Sequence, residues 1–177
     1  MNKIKILGIS GSLSKKSSNA QVLQYITQIL DNDTQFILSD RIRELPHFNP
    51  ELDTEPVPPA VEKFRQELKA ADAVLVCTPE YAYGVPGALK NALDWTVSSG
   101  EFVNKPLALI TASLSGEKAQ AALLQTFTAL SANITPERTL LLSFIRSKLD
   151  EQGNFKSEAD KDAVKSVIDS LRECIST

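Results

Sequence analysis

Residues 8–19 read Gly-Ile-Ser-Gly-Ser-Leu-Ser-Lys-Lys-Ser-Ser-Asn. Ser10, Ser12, Ser14, Ser17 and Ser18 supply hydroxyls, Asn19 an amide, and Lys15 and Lys16 positive charge, with no acid among them. An apolar run precedes this loop, and a helical pattern follows it. The unpaired N–H groups and the positive end of that helix dipole therefore point into the loop. Many short donors, little bulk and positive potential make a site for a phosphate monoester. The same residues have a purely local use, with Ser17, Ser18 or Asn19 capping the helix. The loop is neither Gly-x-Gly-x-x-Gly nor Gly-x-x-x-x-Gly-Lys-Ser/Thr, so a dinucleotide fingerprint and a triphosphate loop are both absent. One phosphate fits better than two or three.

A second loop, residues 78–95, carries Pro79, Glu80, Tyr81, Ala82, Tyr83, Gly84, Val85, Pro86 and Gly87 ahead of Leu89, Lys90, Asn91, Ala92, Leu93, Asp94 and Trp95. Tyrosines between prolines, next to free backbone groups, suit a planar aromatic ligand. The alternative is a rigid turn with Tyr81 and Tyr83 packed as core. Lys90 and Asp94 stand four apart and can pair on a solvated or interface face.

The elements that must position these loops follow from hydropathy. Residues 4–9, 36–38, 73–77, 107–110 and 139–144 are strand-like, and residues 73–77 lack polar alternation, as a strand covered on both faces should. Helical spacing recurs over residues 18–30, through Val61, Phe64 and Leu68, and from Pro86–Gly87 through Leu89, Leu93 and Val97. It recurs again from Ala119 to Leu130 and from Val164 to Ile175. Prolines and polar residues make 39–59 a long loop, with His47 at its surface. Five strands, each followed by a helix, imply a parallel sheet with right-handed crossovers and helices on both faces. Two strand orders suit such a sheet, and periodicity does not choose between them. Either order places ligands beyond the carboxyl ends of the strands, where the order reverses.

The chain has 177 residues, the size of one domain, so 1–177 is expected to form a single unit. Its net charge of −3 leaves no basic footprint for nucleic acid. No apolar run approaches the roughly 20 residues of a membrane span. The N-terminal apolar stretch is broken by Lys5 and is too short for a signal peptide, and Cys77 and Cys174 read as reduced thiols. Together these point to the cytoplasm.

The two loops together resemble the NADPH-dependent FMN reductase family of flavodoxin-like proteins, which includes quinone, azo-dye and chromate reductases. Its first motif is Gly-Ser-x-Arg-x-x-Ser-x-Asn. Here Gly11, Ser12, Ser17 and Asn19 are in register, with Ser14 in place of the arginine. Its second motif is Pro-Glu-Tyr-Asn-x-Ser-x-Pro-Gly-x-Leu-Lys-Asn-Ala-x-Asp-Trp, met here except that Ala82 and Gly84 replace the asparagine and serine. The resemblance covers nearly the whole chain.

The resemblance implies an α/β flavodoxin-like sandwich with five parallel strands in the order 2-1-3-4-5. It implies FMN held non-covalently, with NADPH or NADH as co-substrate and a small-molecule acceptor such as a quinone, flavin, azo compound or oxyanion. The cofactor carries the chemistry, so no catalytic side chain is expected. Ser10, Ser12, Ser14, Ser17, Ser18 and Asn19 would serve the phosphate. Pro79, Glu80, Tyr81 and Ala82 would line the flavin ring, with Ser115 and Gly116 beside it from the loop after the fourth strand. A homodimer or homotetramer is implied, with Val97, Phe102 and Val103 candidates for the contact. The competing reading is a flavodoxin-like electron carrier or regulatory module without NAD(P)H activity.

Overall fold

In a computed structural model describing residues 3–176, five parallel strands form one sheet in the order β2-β1-β3-β4-β5. The strands are β1 (Ile4–Ser10), β2 (Thr34–Ser39), β3 (Ala73–Thr78), β4 (Leu107–Ala112) and β5 (Thr139–Leu142). The helices are α1 (Ser18–Ile29), α2 (Pro59–Ala70), α3 (Gly87–Asp94), α4 (Glu117–Ala129), α5 (Ile145–Lys148) and α6 (Glu158–Ser176). The flavodoxin-like order is therefore present.

The period of two along each strand divides the core between two faces. Ile6, Leu75, Cys77 and Ile110 point to one face, where Val22 and Ile26 of α1 and Val164 and Leu171 of α6 cover them. Leu7, Ile9, Val74, Val76 and Leu109 point to the other, under Phe64 and Leu68 of α2, Leu89 and Leu93 of α3, and Leu123 and Phe127 of α4. Every residue of β3 and β4 is buried, which is why their sequences carry no polar alternation.

Three local expectations need correction. Strand five ends at Leu142 rather than residue 144, because Phe144 takes a left-handed backbone at φ 55° and opens the short helix α5. The long loop 39–59 holds short 3-10 turns at Arg41–Arg43 and Pro50–Leu52. Val97 lies beyond the end of α3. The long loop is pinned to α3 by side chains of the second motif. Asn91 accepts the Phe48 N–H at 2.7 Å through Oδ1, and its amide nitrogen and the Trp95 indole nitrogen both donate to the Pro46 carbonyl at 2.9 Å. His47 is exposed on that loop.

Candidate functional site

The strand order reverses between β1 and β3, and their loops meet directly. Ser10 pairs in register with Cys77, and the Gly11 N–H donates to the Cys77 carbonyl at 2.8 Å. Glycine is required at position 11 by space. A Cβ there would lie 2.2 Å from Thr78 Oγ1 and 2.6 Å from Thr78 Cβ.

Beyond Gly11 the loop is braced by its own hydroxyls. Ser10 Oγ donates to the Ser12 carbonyl at 3.0 Å, and the Ser14 N–H donates to Ser12 Oγ at 3.3 Å. Ser12 Oγ also lies 3.2 Å from the Tyr81 hydroxyl, which joins the first loop to the second. Ser17 caps α1 by accepting the Ala20 N–H at 3.1 Å. That satisfies one of the free donors at the helix start. Among the described residues the N–H groups of Ser18 and Asn19 have no hydrogen-bond acceptor, and no acid occupies the first turn. Asn19 is buried beneath them, its Oδ1 accepting the Cys77 thiol at 3.3 Å. Burial pushes the Cys77 thiol well above its ordinary pKa, so it remains a neutral donor.

In the second loop, Tyr81 and Gly84 exchange backbone hydrogen bonds at 3.0 and 2.9 Å around Ala82 and Tyr83. Both central residues have positive φ, 49° and 59°, which makes this a tight type I′ hairpin turn. Tyr81 is 55% exposed and Tyr83 80% exposed, so neither packs as core.

Glu80 commits its carboxylate to the loop after β4 and the start of α4. Oε1 accepts the Ser115 hydroxyl at 2.7 Å, and Oε2 accepts the N–H groups of Lys118 and Ala119 at 2.8 and 2.9 Å, capping α4. Burial alone would raise its pKa. The hydrogen bonds from Ser115 and from the backbone of Ala119, Gly116 and Lys118 outweigh that and hold it below the usual value. Gly116 sits at φ 100°, and a Cβ there would meet Leu141 Cδ1 and Thr111 Cγ2, both at 2.8 Å.

These loops open onto one cavity of about 930 Å³. Of the residues that the two motifs single out, Ser12, Ser14, Ser17, Ser18, Asn19, Pro79, Glu80 and Tyr81 all line it. Ser10, Ala82, Ser115 and Gly116 do not: Ser10 and Ser115 spend their hydroxyls bracing neighbours. The wall also includes Lys16 of the first loop and Ala112, Ser113 and Leu114 ahead of Ser115, together with residues that neither motif singles out, namely Gln21 and the stretch from Phe144 through Ser147 with Leu149 and Asp150. A helical phase starting at Ser17 places Gln21 next to the site, whereas nothing in the sequence marks α5 as a wall.

The cavity has two chemically distinct regions. One is hydroxyl-rich and cationic, with free N–H groups at the start of α1. The other exposes flat or apolar side chains, Tyr81, Leu114 and Phe144. This fits a planar ring carrying a phosphate tail, and the volume is that of an ordinary ligand cleft.

The NADPH-dependent FMN reductase family model matches residues 4–146. This chain belongs to that family. It is 34% identical over 174 residues to an NAD(P)H-dependent FMN reductase of Pseudomonas aeruginosa, covering 96% of this chain and 94% of the relative. It is 30% identical to a quinone reductase of Escherichia coli, over 85% of this chain and 83% of that protein. The flavoenzyme NAD(P)H:(acceptor) oxidoreductase FerB of Paracoccus denitrificans superposes with a TM-score of 0.79 at 25% identity, covering 98% of this chain and 97% of FerB. The protein is an FMN-dependent oxidoreductase that uses a nicotinamide nucleotide.

The three side chains implied as subunit contacts part company. Val97 and Val103 are exposed, but Phe102 is fully buried, its ring centroid 5.7 Å from that of Phe127. Phe102 therefore belongs to the core. Among the described residues no helix is long and apolar enough to cross a membrane.

Proposed function

We propose that this protein passes a hydride from NADPH or NADH, by way of bound FMN, to a small acceptor of the quinone, flavin, azo or oxyanion class, in a ping-pong sequence. The observation that carries the reading is the shape of the cavity. Donors free of intramolecular partners lie at the start of α1, and exposed apolar groups stand at an open rim.

The free N–H groups of Ser18 and Asn19, the hydroxyls of Ser12, Ser14, Ser17 and Ser18, and the ammonium of Lys16 would hold the phosphate. Pro79 and Tyr81 would support the ring edge. FMN, when bound, supplies the two-electron chemistry. The chain's own contribution is binding and orientation. Glu80 remains ionised and committed to α4, so it is not available as a general acid.

An open rim admits one flat molecule at a time. The dinucleotide must therefore leave before the acceptor enters, and no ternary complex forms. A small-molecule acceptor is also suggested by the quinone reductase among the relatives. We further propose that the chain is a single domain acting in the cytoplasm as a homodimer or homotetramer. The exposed Val97 and Val103 and two unpaired cysteines are in keeping with that reading.

Anaerobic stopped-flow absorbance of the FMN-loaded protein tests the reading. NADPH or NADH should bleach the flavin in a rapid step, and a quinone should then restore its colour. If neither nucleotide bleaches it, the protein is an FMN-binding carrier or module instead.

A further inference from the structure

Of the chain's arginines, five are held by partners. Arg41 bonds Glu67, Arg43 bonds Asp40, Arg65 bonds Asp53, Arg138 bonds Asn133, and Arg172 bonds Asp31 and Asp33. Arg146 is the exception. Among the described residues its guanidinium makes no hydrogen bond or ion pair, and it lines the cavity.

The backbone beneath Arg146 is fixed on both sides. The Phe144 N–H donates to the Leu114 carbonyl and the Ile145 N–H to the Ser113 carbonyl, both at 3.1 Å, while the Ile145 side chain is buried. On the far side Lys148 pairs with Asp160 at 2.7 Å, and Lys156 Nζ donates to the Ser147 carbonyl at 3.1 Å. Phe144 accepts a left-handed backbone to set this turn, a conformation unfavourable for a bulky residue. The result is an anchored Cα carrying an uncommitted, permanently charged fork.

The pairing of the wall's charged groups points the same way. The acids lining the cavity are Glu80 and Asp150, and both are engaged. Glu80 caps α4, and Asp150 accepts the N–H groups of Gln152 and Asn154 at 2.9 and 2.8 Å. The cations lining it are Lys16 and Arg146. Among the described residues the carboxylate oxygens of both acids already accept N–H or O–H donors, whereas the two cations have no partner, so the unshared charged donors of the wall are there to meet an anion.

Resting on the FMN reductase reading above, we propose that Arg146 is a phosphate-binding residue of this site, acting with Lys16 across the cavity. A guanidinium can give a phosphate two parallel hydrogen bonds, which a lysine cannot. The phosphate comes either from FMN or from the nicotinamide dinucleotide.

Arg146→Ala and Arg146→Lys distinguish these sources, with circular dichroism confirming the fold. Apoprotein is titrated with FMN and with riboflavin, which lacks the phosphate, following quenching of flavin fluorescence. The expected result is a rise in the FMN dissociation constant of about tenfold in Arg146→Ala, a smaller rise in Arg146→Lys, and no change for riboflavin. If FMN affinity is unchanged but the NADPH or NADH concentration for half-maximal anaerobic bleaching rises, the phosphate is the dinucleotide's. Equal losses for FMN and riboflavin, or no change in any of these quantities, overturn the proposal. The unaltered protein is the control for the broader reading: if it binds no FMN, both fall. If it binds FMN and is bleached while Arg146→Ala behaves identically, only the role of Arg146 is lost.

Discussion

Ser115 donates its hydroxyl to Glu80 Oε1 at 2.7 Å, tying the loop after β4 to the loop after β3. The other carboxylate oxygen caps α4, so one acidic side chain sets the relation between two loops and a helix.

Glu80→Gln keeps the shape and removes the charge. Loss of a charged cap should cost about 1 kcal/mol, or a few degrees in Tm for a chain of this size. The folded-state pKa of Glu80 lies below its ordinary 4.5, so its contribution is present above that value. It is lost as pH falls through the lower folded value. The Tm gap between wild type and variant should therefore be full near neutrality and close on acidification. A gap independent of pH would assign the effect to packing rather than charge.

The architecture was legible because its signals are long. The uniformly apolar strands β3 and β4 announce burial on both faces, and the loops after β1 and β3 carry the motifs that locate the site. What escaped notice was short or tertiary. Thr139 to Phe144 reads as one strand, yet the chain turns at Ser143 and Phe144, and four residues of α5 are too few to show a helical period. The resemblance sets Ser115 beside the ring, in a loop where its hydroxyl is free to choose an acceptor. Its actual acceptor, Glu80, is distant in sequence and visible only once the strands are paired. Arg146 carries no motif at all and enters the wall through the path of β5.

The thiols should separate by reactivity. Cys77 is fully buried with its pKa raised, while Cys174 is partly accessible on α6. Ellman's reagent should titrate Cys174 in the native protein and reach Cys77 only after unfolding. Two thiols reacting at one rate in the native state would contradict the Cys77–Asn19 arrangement.

Gly11→Ala should damage both fold and site. The added methyl would lie 2.2 Å from Thr78 Oγ1, so the β1 loop must move away from β3. Overpacking of this kind costs roughly 1–3 kcal/mol. Thermal unfolding should show that loss, and FMN affinity should fall because the start of α1 moves with the loop. Unchanged melting would mean that the two loops are less closely packed than the structure has them.

Ala82 sits at φ 49° in a turn that favours asparagine or glycine. Ala82→Asn should relieve part of that cost, worth on the order of 0.5–1 kcal/mol, and raise Tm by a few degrees. Ala82→Val should lower it, because a β-branched residue tolerates the left-handed region worst. The pair of melting curves is informative even without cofactor, since Ala82 does not line the cavity.

Ser14 lines the cavity with an exposed side chain, in a loop where Lys15 lies 3.9 Å from Asp40 and only Lys16 joins the wall. The loop therefore offers many neutral donors and little positive charge to a doubly charged phosphate. FMN binding should weaken as salt is added, because a point charge on a flexible, exposed stem is readily screened. Ser14→Arg places a guanidinium on the loop itself. If one charge-assisted bond forms, FMN should bind tighter by on the order of 1–2 kcal/mol. Riboflavin should gain nothing, since the new contact is with the phosphate. Titration of the apoprotein with both flavins at low and high salt decides the matter. Tighter FMN binding in the Arg146→Ala background as well would show that a guanidinium at either position serves the same phosphate. Unchanged or weaker FMN binding by Ser14→Arg would mean that residue 14 does not face that group.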